Sequence, residues 1–350
     1  EICGNYSAEY GGGISHFGLS DGGSIHHNCI LFNASFDEGA GVFVGGEQPL
    51  PPEVLSAGSG RVDIYNNLIA GNVANDDGGG IRLLQPRDYR INIYNNFIVN
   101  NVSTDLGGGI ALDDASMVVI CNNTIAKNIT TATAEDSDGR PHAAGLVSET
   151  HSDAFRATLP PDDPGFSNPV LFNNIFWDNR AGVFDQTLEA GRGGIAGIGA
   201  PGDPRPVNVI DLEVFGAPAF LEPQYCTLSR PYPGGSNNRV GNPMFVREYD
   251  TRLTAVAFNM EPDFKTVRIV TAIPEAEGDY HLTAASTIAI DRGTPHVTRV
   301  VAGQLEVFQA PARDFDGDLR PRRAGYDIGA DETPRSGRGC PPGSVIPWAQ

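Results

Sequence analysis

Asn66-Asn67-Leu68-Ile69-Ala70-Gly71-Asn72 is one of five like segments in this chain. The others are His27-Asn28-Cys29-Ile30-Leu31-Phe32-Asn33, Asn95-Asn96-Phe97-Ile98-Val99-Asn100-Asn101, Asn122-Asn123-Thr124-Ile125-Ala126-Lys127-Asn128 and Asn173-Asn174-Ile175-Phe176-Trp177-Asp178-Asn179. In each, asparagine is followed by four residues and a second asparagine. Eight residues beyond Asn5, Asn33, Asn72 and Asn101 stands a glycine followed by an aliphatic residue: Gly13-Ile14, Gly41-Val42, Gly80-Ile81 and Gly109-Ile110. From Asn5 to Asn128 the units lie 28, 39, 29 and 27 residues apart, and the longest carries the proline-rich excursion Gln48-Pro49-Leu50-Pro51-Pro52. Such a period, built of short strands like Val62-Asp63-Ile64-Tyr65 and Ile91-Asn92-Ile93-Tyr94, predicts an all-β parallel solenoid with one coil per unit, stacked about 4.8 Å apart. Alternation puts Val62, Ile64, Ile91 and Ile93 inward and Asp63 and Asn92 outward.

Asparagine tolerates the left-handed backbone of a corner between strands, and in a stack its amide can bond the like amide above and below. Asn5, Asn33, Asn72, Asn101, Asn128 and Asn179 are therefore expected to form a structural ladder. Glycine serves the other corner, where φ is positive or the backbone is crowded. Asn5, Asn33, Asn101, Asn122 and Asn128 also head N-x-S/T sequons, but four of these five are ladder positions that the repeat already explains.

The C-terminal third carries Asn237-Asn238-x-x-Gly241-Asn242-Pro243-Met244-Phe245-Val246 and Gly278-Asp279-Tyr280-His281-Leu282-Thr283, followed by Ser286 and Ala289-Ile290-Asp291-x-Gly293. Asp316-Gly317-x-x-Arg320-Pro321 and Gly325-Tyr326-Asp327-Ile328-Gly329-Ala330-Asp331-Glu332 come after them. Together with the Asn-Asn-x-Ile units, this resembles the right-handed parallel β-helix repeat proteins of bacterial surfaces, and the ending resembles that of the choice-of-anchor Q type. The resemblance covers most of the chain. It implies a right-handed parallel β-helix with loop insertions and a C-terminal closing segment, secreted or at the cell surface, and is nearly silent on activity. The chain departs from the pattern in lacking early coils and an N-terminal cap, and in an insertion from Arg247 to Glu277.

On this reading residues 1–185 are regular coils with loops at 46–60, 82–90 and 130–168, and 186–293 are irregular coils with insertions. Residues 294–335 form the closing segment, and 336–350 a Gly/Pro-rich tail. The chain starts inside a repeat, as a processed product or a piece of a longer polypeptide would. Unpaired strand edges need cover, so a protein partner or self-association is expected at the open N-terminal coil around residues 1–14.

Composition narrows the function. Among 350 residues there are 43 acids and 24 bases, a formal charge of −19, which opposes nucleic acid and anionic bilayers. No run approaches the roughly 18 apolar residues of a membrane span. Glycine (43) and proline (26) point to many turns. Five cysteines show no C-x-x-C pair, and a bridge between Cys3 and Cys29 on neighbouring coils is open.

An acid stands four residues before each corner glycine: Glu9, Asp37, Asp76 and Asp105. Stacked about 5 Å apart, these carboxylates repel. Calcium would offset the repulsion; the alternative is a solvated edge in which each carboxylate caps its own turn. Asp314, Asp316 and Asp318 alternate around Gly317 as a second calcium candidate, without the glutamate of an EF-hand. Polysaccharide lyases and glycoside hydrolases use the same fold, with acids for calcium or acid/base work and, in lyases, a basic residue. The catalytic candidates are Asp113 and Asp114 with Arg82, Arg87 and Arg90, for which a charged surface loop is the plainer reading. His26-His27, His142, His151 and His296 lack copper or zinc spacing. The expected function is a non-catalytic extracellular structural and interaction module within a larger polypeptide or assembly. The alternative is a lyase or hydrolase acting on a glycan along the groove beside the 82–90 and 130–168 loops.

Overall fold

Runs of two to four β-formers between asparagine and glycine corners leave room for one short strand each, and these strands build the molecule. A computed structural model describes residues 1–257, 265–271, 278–301 and 303–334, so the Gly/Pro-rich tail at 336–350 lies outside the described residues. Each repeat sends one strand to each of four parallel sheets in turn. The second repeat supplies Cys29–Leu31, Ala34–Ser35, Val42–Gly45 and Val62–Tyr65; the third supplies Leu68–Ala70, Val73–Ala74, Ile81–Arg87 and Ile91–Tyr94. The sheets hold eight, six, six and five strands, and every pairing in them is parallel. Register is kept from repeat to repeat, as in Ile30↔Ile69↔Ile98↔Ile125 and Val62↔Ile91↔Val118. This all-β stack is consistent with a parallel β-helix. Helix among the described residues is two single turns, Asp153–Arg156 and Leu188–Gly191.

The interior is a set of aliphatic columns. Ile30, Ile69, Ile98 and Ile125 form one, and Ile64, Ile93 and Ile120 another, all with no exposed surface. Val62, Ile64, Ile91 and Ile93 point inward while Asp63 and Asn92 are half-buried on the outside, as alternation requires. Burying each such side chain is worth about 1.5–3 kcal/mol, so the columns supply the main driving force.

The two asparagines of each doublet divide the corner between them. The first, at Asn66, Asn95, Asn122 and Asn173, takes the left-handed backbone with φ between 53° and 55°. The second carries a ladder: Asn28, Asn67, Asn96, Asn123 and Asn174 bond amide to amide at 3.0–3.1 Å. The expected ladder of Asn5, Asn33, Asn72, Asn101, Asn128 and Asn179 runs parallel to it at 2.8–3.1 Å. None of these ladder residues has positive φ; that strain falls on the residue before, such as Asn100 or Lys127. In the glycine corner, Gly78 turns the chain at φ 68°, whereas Gly80 is needed for space, because a Cβ there would lie 2.5 Å from the Gly109 carbonyl oxygen.

The expected loop at 82–90 is mostly strand, Ile81–Arg87, since the charge of Arg82 is matched across the stack. A register shift after Leu84, with positive φ at Gln85 and Arg87, ends the regular pairing. The 247–277 insertion contains an antiparallel pair, Leu253–Ala257 with Lys265–Ile269. It is tied to the stack by Lys127, which reaches Asp178 and Asp250 at 2.8 Å each.

The C-terminal segment runs along the outside of the stack. The outer asparagines receive it in series: Asn173 donates to the Thr294 carbonyl at 2.8 Å, Asn95 to that of Arg313 at 2.7 Å, and Asn66 to that of Phe315 at 3.3 Å. Arg320, with a side chain wholly enclosed, holds it closed through Glu332 (2.9 Å), the Gly329 and Ala330 carbonyls, and Asn95 Oδ1 (3.2 Å).

Candidate functional site

Stacking concentrates charge on the edge between the second and third sheets. Asp37, Glu38 and Asp76 present oxygens within 4.8 Å of one another, and so do Asp76, Asp105 and Asp136. Glu9, in the first repeat, is exposed and belongs to neither group. Burial, then the charges of Glu38 and Asp136, push Asp76 up to about 8, and Asp37 and Asp105 are raised by burial as well. Uptake of protons thus relieves the repulsion that stacking creates.

Inward of this column lies Arg82, 2% exposed. Its guanidinium bonds Glu38 through two nitrogens (3.2 and 3.1 Å), Asp77 lies at 3.3 Å, and Glu149 makes a further hydrogen bond. Three carboxylates from three repeats thus enclose one cation. Asp113 stands on the same sheet, half-buried; burial and then Glu149 push its carboxyl up to about 7. A carboxyl that titrates near neutrality beside a second carboxylate is suited to proton transfer.

The other catalytic candidates do not join it. Asp114, at φ 46°, turns its carboxylate to Ser152, accepting from the backbone N–H at 2.8 Å and from Oγ at 2.6 Å. Arg87 donates to the Ser56 carbonyl at 3.0 Å, and Arg90 pairs with Glu306 at 2.9 Å while lying over the Phe308 ring. Stacking of neighbouring repeats does not bring these together, because the strand Ile81–Arg87 bends at Gln85 and Arg87, Asp114 turns away on its own strand, and each side chain meets a different neighbour. Arg82 is held by its carboxylates and is not available as a base.

Asp314, Asp316 and Asp318 do not share a centre either. Asp314 accepts from the backbone N–H groups of Asp318 (2.7 Å) and Glu332 (2.9 Å), as a turn-forming aspartate does, and Asp318 pairs with Arg322. Only Asp316 points into a cluster, with His281 and Asp331. Cys3 is a free thiol, so no bridge joins it to Cys29. Sequon residues Asn33, Asn101, Asn122 and Asn128 are at most 1% exposed, which closes them to sugar in the folded chain.

Glu38, Asp77 and Glu149, the partners of Arg82, escaped the sequence reading. A signal existed for two of them, since each directly follows an acid of the column in Asp37-Glu38 and Asp76-Asp77. A groove of about 620 Å³ also lies over the fourth sheet, between the parallel rings of Tyr65 and Tyr94 (centroids 4.8 Å apart) and the segment Val307–Gln309. No family model matches the chain, and no curated protein or solved structure matches it. Among the described residues no helix is long and apolar enough to cross a membrane.

Proposed function

We propose that the repeats wind as a right-handed parallel β-helix and that the chain is a non-catalytic structural and interaction module. It belongs to a secreted or cell-surface polypeptide or assembly, and its first repeat receives a further strand-bearing coil. The carrying observation is the edge of that repeat. Among the described residues, Ile2–Cys3, Tyr6–Ser7, Ile14–Phe17 and Gly23–His26 each stand at the end of their sheet and pair on one side only. Ile2 and Ile14 are partly buried, where their partners Ile30 and Val42 are fully so. Tyr6 and Phe17 are 65% and 49% exposed. Open ladders beside apolar side chains are a template for strand addition. The scatter of Asp114, Arg87 and Arg90 supports a non-catalytic role, and the motif resemblance supports the location. Sedimentation velocity with hydrogen exchange of the full chain tests this. Association that rises with concentration and slows exchange at residues 2–17 is expected. A strict monomer whose first-repeat amides are already protected contradicts it.

One observation favours a second reading, a glycan lyase or hydrolase: Asp113 combines a near-neutral carboxyl with Glu149 on a half-open face. New reducing ends or unsaturated products from a glycan panel, lost in Asp113→Asn, would support it. A wild-type chain that releases neither removes it.

A further inference from the structure

The carboxylate of Asp316 is 1% exposed, and neither of its oxygens accepts a hydrogen bond. That is costly, because a buried carboxylate that accepts no hydrogen bond loses its hydration with little in return. The neighbours explain what the position is built for. His281 Nε2 lies 3.5 Å from Asp316 Oδ2, and ligand atoms of His281, Asp316 and Asp331 all fall within 4.8 Å of one another. Asp331 spends Oδ2 on the Leu282 N–H at 3.1 Å and leaves Oδ1 buried without a hydrogen bond.

The histidine is oriented as a ligand would be. Its Nδ1 is 2.6 Å from Asp279 Oδ1, which fixes the ring and turns Nε2 toward the two aspartates. Phe97 and Phe315 wall the site, with ring centroids 4.9 and 6.1 Å from that of His281. Among the described residues the cation set against Asp316 is that imidazole, its Nε2 3.5 Å away. Arg320, also buried in this segment, is already paired with Glu332 at 2.9 Å.

We propose that His281, Asp316 and Asp331 bind one divalent metal ion, with Asp279 as the carboxylate that orients the histidine. One imidazole nitrogen with two carboxylate oxygens suits zinc, which takes such ligands at about 2.0–2.2 Å, better than calcium, which prefers six to eight oxygens. Ligand atoms 3.5 Å apart match the edge of a tetrahedron of that size. The ion joins the strand Asp279–Leu282 to the closing segment at Asp316 and Asp331, and is enclosed. Its role is therefore structural, and its binding is coupled to docking of that segment against Phe97.

The full chain, stripped with EDTA and passed through a desalting column with zinc alone, should retain close to one ion per chain by elemental analysis and melt at higher temperature than the stripped form. Asp316→Asn should abolish both effects. Asp279→Asn, which leaves the ligands in place, should fold and bind zinc about 10- to 100-fold more weakly. Asp76→Asn, on the acidic edge, should retain zinc unchanged. The proposal is overturned if the wild-type chain keeps no zinc, if Asp279→Asn binds as tightly as wild type, if calcium is retained in place of zinc, or if Asp76→Asn is the variant that loses the ion.

Discussion

At the scale of single residues, the ladder asparagine shows how this sequence turns one side chain into several bonds. Asn101 Oδ1 accepts from the backbone N–H of Asn72 (3.1 Å) and from its amide (2.8 Å), while Asn101 Nδ2 donates to the Ile69 carbonyl (2.9 Å) and to Asn128 (3.1 Å). All of this happens with no solvent exposure, so no water can replace what is removed. Asn101→Ala strands donors and an acceptor on two neighbouring repeats and should cost about 3 kcal/mol or more by urea denaturation. Asn5→Ala, at the exposed end of the same ladder, should cost less than about 1 kcal/mol. Equal losses would mean that the ladder is not what holds the corner. Arg82 gives the opposite lesson. Its removal in Arg82→Met leaves the buried carboxylates of Glu38 and Asp77 beside half-buried Glu149 with no cation, a loss of about 3–5 kcal/mol near neutral pH that should shrink at pH 5, because burial raises the pKa of Glu38 and Asp77. Urea midpoints at the two pH values decide this.

At the scale of the element, the stacked edge makes the molecule pH-sensitive in a defined direction. Asp76 and Asp113 have folded values of about 8 and 7, raised by burial from an ordinary 3.8. Between the unfolded and folded values the native state holds the extra proton, so stability falls as pH rises through that interval. His142, raised to about 9 mainly by its hydrogen bond to Glu213, acts in the same direction between 6.5 and 9. The melting temperature should therefore be higher at pH 5 than at pH 8.5, and a melt that rises with pH would contradict the burial of this edge. The element scale is also where legibility in the sequence divides. The strands, the corners and the acid column could be read because each position is dictated by its own turn: asparagine for the ladder, glycine where a Cβ would strike the next repeat, an acid at a fixed offset. The Arg82 cluster could not, because Glu149 arrives after an irregular excursion that breaks the period. His281, Asp316 and Asp331 lie on three segments without any repeat, so only folding brings them together. The five catalytic candidates rest on stacking of neighbouring repeats, which keeps Arg82 and Asp113 on one sheet, while the bend at Gln85 and Arg87 sends Arg87 and Arg90 elsewhere.

At the scale of the whole molecule, charge and the open edge pull against each other. The chain carries −19, and residues 1–27 contribute Glu1, Glu9 and Asp21 with no lysine or arginine. Two copies meeting through their first repeats would gain strand pairing and cover Ile2, Ile14, Tyr6 and Phe17, but would bring like charges together. Screening decides how strongly they oppose contact, since the Debye length falls from about 30 Å at 0.01 M salt to about 10 Å at 0.1 M. If self-association uses this edge, the associated fraction in sedimentation velocity should increase from 0.01 M to 0.1 M sodium chloride. The gain should be larger for the wild-type chain than for a Glu9→Gln, Asp21→Asn variant, whose edges repel less at low salt. Ile14→Lys, which sets a charge on the apolar column of the edge strand, should remove association at both salt concentrations while leaving the buried repeats intact by circular dichroism. Association that weakens with salt would point instead to an interface made of opposite charges, such as the paired Arg61 and Asp21 or the arginines of the closing segment, and would take the first-repeat edge out of the account.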